Sequence, residues 1–181
     1  MGAIIQAEQH QLDAGEEGHN QYLTFLLGGE MFAIPILNIK EIIEYGSLTT
    51  VPMMPEFIRG VINLRGSVVP VVDLTVRFGR QTTPVTKRTC IVIIEIESDG
   101  DKQDVGVVVD TVNEVLEIPR AEIERAPSFG AKIRADFISG MGKIAGKFVV
   151  ILNVNHVLSI DEMAMLGQVG GTEPEMMALP A

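Results

Sequence analysis

Short apolar runs separated by glycine, proline and asparagine punctuate most of this chain, a pattern of many short strands joined by tight turns. Residues 22–27 predict a first strand, closed by Gly28 and Gly29, and residues 31–34 a second. Pro35 ends that pairing because it has no N–H to donate. Residues 36–43 change period: the apolar positions Ile36, Ile39, Ile42 and Ile43 fit one face of a short helix, with Gly46 as its stop. Residues 49–52 read as extended, and Pro55 starts a single turn through Phe57 and Ile58. The stretch 57–74 organises the rest. It predicts two strands around the turn Asn63, Leu64, Arg65, Gly66, where Gly66 takes a positive φ and Arg65 projects from a rigid corner. One helical turn is expected over 74–78, closed by Gly79.

Residues 81–87 are a polar connector and the expected boundary between two halves. Residues 89–96 are almost continuously apolar, which predicts a strand buried on both faces. A charged loop over 97–104, with Asp99 and Gly100 at its tip, leads to a returning strand over 105–109. Ser159 and Glu162 form a capping box that starts a helix through Leu166. Residues 1–21 and 167–181 read as flexible tails, the first of them acidic.

The pattern repeats. Phe57, Ile58 and Gly60 return 80 residues later as Phe137, Ile138 and Gly140, Gly66 returns as Gly146, and the run 69–74 as 149–154. Val112, Glu114, Val115 and Leu116 fall where Ile39, Glu41, Ile42 and Ile43 fell, at an offset of 73. Two such repeats predict an all-β chain of two similar small barrels, whose closure removes Val-rich edges. Arg65 has no counterpart, because Ala145 takes its place. A charge present in one repeat only is not explained by the needs of the barrel.

At 181 residues the chain is long enough to bury a substantial core, and 46% of it is apolar. No apolar run reaches the length of a membrane span and no signal peptide is visible, so a cytoplasmic protein is expected. The single Cys90 agrees with a reducing compartment. The net charge is −10, and residues 22–166 alone hold 18 acids and 14 bases. That balance argues against nucleic acid or an anionic membrane surface as partner.

Catalytic and cofactor chemistry find no support. There is no phosphate-binding glycine loop. His156 stands without a second ligand at metal spacing, Cys90 reads as a small packed hydrophobe, and the acids of 99–104 do not match a calcium loop. Met53 and Met54, between Pro52 and Pro55, are the methionines best placed to form an adaptable surface.

Taken in order, Phe32 to Pro35, Lys40-Glu41-Ile42, Pro55 with Phe57, Ile58, Gly60 and Val61, Asn63 to Gly66, Val69 to Leu74, Val105-Gly106 with Val109 and Asp110, Val112 with Val115 and Leu116, and Glu162 to Ala164 resemble the CheW family of chemotaxis coupling proteins. The resemblance covers residues 22–166. It implies two SH3-like five-stranded β-barrels around a shared apolar core: a first barrel over about 28–80, and a second over about 88–158 joined by the strand 22–27. It implies no enzymatic activity and no cofactor. The implied partners are the cytoplasmic tip of chemoreceptors and the regulatory domain of the histidine kinase CheA, in arrays at the inner face of the membrane.

Carried over by position, the receptor-facing groove would include Ile39, Glu41, Arg65, Cys90, Gly106 and Val112, and the kinase contact would lie near Met53, Met54 and Phe57. An apolar groove suits a helical receptor tip, with rim charges setting register and partner choice. Cys90 departs from the aliphatic residue expected at its position. The other readings are a CheW-like module of a longer regulator or of another two-component complex, and a barrel that binds a small molecule.

Overall fold

The structure is a computed structural model that describes residues 20–98, 100–125 and 135–158. Among these residues eleven strands form two sheets. In chain order they are β1 (Gln21–Leu27), β2 (Glu30–Pro35), β3 (Ile39–Glu44), β4 (Ile58–Leu64), β5 (Ser67–Asp73), β6 (Cys90–Ser98), β7 (Asp101–Val109), β8 (Thr111–Glu117), β9 (Ile123–Glu124), β10 (Ile138–Ile144) and β11 (Lys147–Leu152). Two single-turn helices, α1 (Leu74–Arg77) and α2 (Val154–Val157), follow β5 and β11. The expected capping box and helix from residue 159 onward and the expected tail over 167–181 lie outside the described residues, as do residues 1–19 of the expected N-terminal tail, whose last residue, Gln21, instead begins β1.

One sheet has the order β3-β6-β7-β5-β4 and the other β8-β1-β2-β11-β10-β9. These are two SH3-like units of one pattern. In each, a hairpin (β6–β7 or β1–β2) is flanked on one side by a single strand and on the other by a second hairpin, with one parallel contact, β5–β7 or β2–β11. Each unit is closed by the segment that continues its outer strand. Thr49, after β3, bridges Val61 on β4, and β9, after β8, pairs with β10 through Met141 and Glu124.

Those closures explain the repeated Phe-Ile-x-Gly motif. A Cβ at Gly60 would lie 2.5 Å from the Thr49 carbonyl oxygen, and one at Gly140 would lie 2.6 Å from Ile123 Cγ2. Only glycine lets the closing segment approach. The following turns match too. Arg65 and Gly66 have φ of 52° and 85°, Ala145 and Gly146 49° and 79°, the left-handed pair that joins twisted strands. Phe57 then accepts a bond from the Asp73 N–H at 2.7 Å, as Phe137 does from Asn153 at 2.8 Å. Asp73 and Asn153 cap α1 and α2 with their side chains.

The expected helix over 36–43 is not formed. A 3-10 turn spans Ile36–Asn38, and β3 begins at Ile39 with alternating half-buried and exposed positions. The apolar residues satisfy either period. The strand wins because β6 lies alongside and takes up the backbone hydrogen bonds. The counterpart over 110–116 is likewise a strand, β8. The charged loop over 97–104 is also shorter than expected: β6 and β7 stay paired as far as Ser98 and Asp101.

The assignment of halves to barrels differs as well. The sheet expected over 28–80 contains β6 and β7 but not β2, and the sheet expected over 88–158 contains β2 together with β1. The reason is geometric. β2 passes to β3 through the turn Ile36–Asn38, and β7 passes to β8 through Asp110 alone. A passage that short carries the chain forward, so each strand leaves its own sheet and enters the other. Each barrel therefore borrows its hairpin from the opposite half.

This exchange creates the core. β6 buries Ile91 and Ile93 inside the first barrel with Val69, Val71 and Val108, while Val92, Ile94 and Ile96 face the space between the sheets. That two-sided burial accounts for the continuous apolar run. The second barrel has its own small interior of Tyr22, Ala33, Ile118, Val149 and Ile151. The largest cluster lies between the barrels. It contains Phe25, Phe32, Phe78 and Phe137, whose successive ring centroids are 6.2, 5.5 and 6.2 Å apart. Each fully buried Phe contributes about 1.5–3 kcal/mol. Beside it, the Arg77 guanidinium lies 4.9 Å from the Phe57 ring and 4.7 Å from the Phe137 ring, and its Nε donates to the Val157 carbonyl at 3.0 Å.

Because strand pairing joins the halves throughout, cutting the connector is not expected to separate them. A protease site inserted between Pro84 and Val85 should give a nicked protein that elutes as one species and comes apart only in denaturant. Separation of the fragments on a sizing column in native buffer would contradict this architecture.

Candidate functional site

β3 and β4 are the two outer strands of the first sheet, and an ion pair links them across the barrel opening. Arg65, in the turn after β4, donates from both terminal nitrogens to both oxygens of Glu41 on β3, at 2.7 and 2.9 Å. The parallel geometry is the specific one for guanidinium and carboxylate. The Arg65 side chain is 74% exposed and that of Glu41 26%, so one face of the guanidinium remains open to a partner. The hydrogen bond from Arg65 holds the Glu41 carboxyl below its ordinary range, and Glu41 in turn raises Arg65. An exposed pair of this kind adds little to stability. Its value is in fixing where two charges stand.

The register of β3 shifts by one residue between Ile39 and Glu41. As a result Ile39 packs against the core between the barrels, whereas Ile43 packs against the interior of the first barrel. Cys90 and Val112 are also half-buried against the shared core. Ile39, Cys90 and Val112 thus border one apolar mass, and Glu41 and Arg65 stand on the same strand as Ile39 and on the turn that reaches it. The Cys90 thiol donates to the Arg88 carbonyl at 3.3 Å, and burial, aided by the charge of Glu44, pushes its pKa up. It stays protonated and acts as a small apolar group.

Gly106 does not join this group. It is buried in the first barrel, where a Cβ would lie 2.8 Å from Ile91 Cγ2 and 3.4 Å from Val71. Among the expected kinase contacts, Met53 and Met54 are exposed, at 59% and 37%, but Phe57 is 9% exposed and lies in the shared core. Its place beneath Arg77 makes it a packing residue rather than a surface contact.

Sequence reasoning passed over two features. Ile42 and Val115, at equivalent places on β3 and β8, are 42% and 46% exposed. The alternation that reveals them is present in the sequence, but the same residues also fit a helical period. The second feature is the cleft of about 510 Å³ lined by Glu56, Arg59, Asp73, Val76, Arg80, Gln81 and Thr82. Within it Arg59 donates from Nε to Asp73 at 3.0 Å and from Nη1 to the Tyr45 hydroxyl at 3.0 Å. Asp73 also accepts from the Thr75 N–H at 3.0 Å and from the Thr82 hydroxyl. Burial opposes ionisation of Asp73. The bonds from Thr75 and Thr82 and the charge of Arg59 outweigh it, so the carboxyl is held below its ordinary range. With its partners already in place, Asp73 is a helix cap and a tie for the connector, not a general base. Among the described residues, no cluster of three or more His, Cys, Asp or Glu side chains is arranged to hold a metal ion.

Two SH3-like units of one pattern packed on a shared core, with an ion pair at the exposed rim of one of them, define a class of two-barrel β-protein. Residues 21–162 match the family model of the CheW-like domain, and the chain belongs to that family. It is 33% identical over 156 residues to the chemotaxis protein CheW of Klebsiella aerogenes, a match covering 86% of this chain and 92% of the relative. It is 34% identical over 136 residues to CheW of Bacillus subtilis, covering 75% and 85%. The crystal structure of the scaffolding protein TtCheW from Thermoanaerobacter tengcongensis superposes with a TM-score of 0.71 at 34% identity, covering 78% of this chain and 88% of that one.

Gly106→Ala is expected to cost about 1–3 kcal/mol through overpacking against Ile91. Binding per folded molecule should be unchanged, which urea unfolding and titration of the folded fraction would show.

Asp73 gives a pH signature. Its folded pKa lies below the unfolded value of about 3.9, so the unfolded state gains the extra proton as the pH falls. The contribution is complete above the unfolded value and is lost as the pH drops through the folded one. Asp73→Asn should lower stability at neutral pH by roughly 1.5–3 kcal/mol. It should also flatten the acid limb of stability against pH, measured by urea unfolding at a series of pH values.

Proposed function

We propose that this protein is a non-enzymatic scaffold that couples chemoreceptors to the histidine kinase CheA and helps assemble their arrays. It would act in the cytoplasm, at the inner face of the membrane. The observation that carries the reading is the Glu41–Arg65 pair, a two-bond ion pair at an exposed rim beside half-buried Ile39. It occurs in one barrel only, since Ala145 replaces the arginine in the other.

A receptor tip is a helical hairpin. Ile39, Cys90 and Val112 would supply apolar contact to one helix face, while Glu41 and Arg65 fix its register. Each charge already holds its partner, so little side-chain freedom is lost when the receptor docks. Met53 and Met54 are exposed, unbranched and adaptable, and they are the proposed kinase contact. Gly106 and Phe57 serve this function indirectly, by shaping the first barrel and the core beneath these surfaces.

The reading is tested by pull-down with a receptor cytoplasmic fragment and with the CheA regulatory domain. Wild type should retain both. Arg65→Ala and Glu41→Lys should lose the receptor, by tenfold or more in affinity, and keep the kinase domain, with near-native unfolding midpoints. Wild type binding neither partner would overturn the assignment, and unfolded variants would make the pair structural.

A further inference from the structure

Both barrels are assembled from opposite halves of the chain. The pairings β1–β8, β2–β11, β3–β6 and β5–β7 each join a strand before the connector to a strand after it. Neither half completes a barrel alone. The passages β2 to β3 and β7 to β8 are too short to choose a different route. The connection between halves, residues 79–89, is different. It is polar, largely exposed and contains no strand. Side chains tether it: Arg80 to Glu30 at 3.3 Å, Thr82 to Asp73, and Thr83 to Asp110.

We propose that the chain exchanges halves with a second copy of itself, giving a dimer in which residues 20–78 of each chain complete both barrels with residues 90–158 of the other. The paired strands and the shared core are the same in both arrangements. The closed chain and the exchanged dimer differ in the path of residues 79–89 and in the entropy of association. A short connector gives the closed form an effective concentration on the order of millimolar. Exchange therefore depends on chain concentration while the halves are still unpaired, and a dimer once formed is trapped, because release requires breaking every pairing between halves. Such a dimer carries two Glu41–Arg65 rims on one particle, a bivalent ligand for arrayed partners.

The lone cysteine provides the test. Glu44 on β3 stands directly opposite Cys90 on β6. Cross-strand neighbours lie about 4.5–5.5 Å apart at Cα, within the range of a disulfide. In Glu44→Cys the new bond is intramolecular in a closed chain and intermolecular in an exchanged dimer. The variant is unfolded and refolded reduced at rising chain concentration, then diluted, oxidised and run on a non-reducing gel.

The expected result is a covalent dimer band that grows with refolding concentration and approaches half of the protein at roughly millimolar chain. Wild type, with Cys90 alone, should give no such band. Light scattering on refolded wild type should show a dimer that survives dilution. Deleting residues 82–87 should shift the Glu44→Cys chain to covalent dimer even in dilute refolding. Monomer bands at every concentration would overturn the proposal. So would a scattering dimer that runs as a monomer after oxidation, since that chain has joined faces and not halves.

Discussion

The rest of the structure depends on two passages too short to turn around. Between β2 and β3 the chain has a single 3-10 turn, and between β7 and β8 it has Asp110. Neither permits the next strand to fold back on the last. Each strand must cross to the other sheet, and its hairpin stays behind. From this follow the borrowed hairpins, the apolar run in β6 that faces two interiors, and a main core lying between the barrels instead of within them. Ile39 stands at the first position of β3 and Val112 near the start of β8, just past these crossings. The residues proposed to meet a receptor are therefore anchored where the chain has least freedom.

That placement separates two kinds of contribution. Stability comes from the buried aromatic series and the strands around it. Partner choice is assigned to side chains that contribute little to stability, Arg65 above all. The same split explains why one turn carries Arg65 and its counterpart Ala145. Both adopt the same left-handed geometry, so the backbone accepts either residue and the side chain is left to function.

The sequence revealed what backbone sterics demand and hid what depends on partners. Gly60 and Gly140 were visible as a repeat because each must admit a closing segment at close range. The turn glycines were visible for similar local reasons, whereas the capping by Asp73 and Asn153 emerges only from the structure. Residues 36–43 are ambiguous in the sequence because their isoleucines satisfy two periods, and the neighbour that decides between them, β6, lies far along the chain. The boundary at 81–87 was inferred from composition, which marks a flexible connector but not which strands pair across it. In the site, the repeat comparison singled out Arg65, but its ion pair with Glu41 emerges only from the structure. Gly106 and Phe57 fell in interiors, because position in a motif does not tell whether a residue shapes a surface or forms it.

Arg77 and Val157 occupy the same place in the two repeats, the last residue of α1 and of α2, and the first donates a hydrogen bond to the second. A position that touches its own counterpart lies on the axis relating the halves. Two arginines there would bring like charges together between Phe57 and Phe137, and two valines would leave those rings without a cation. The halves of this chain are thus forbidden to be identical at one point. That local asymmetry makes the two barrels unlike at the very point where they meet.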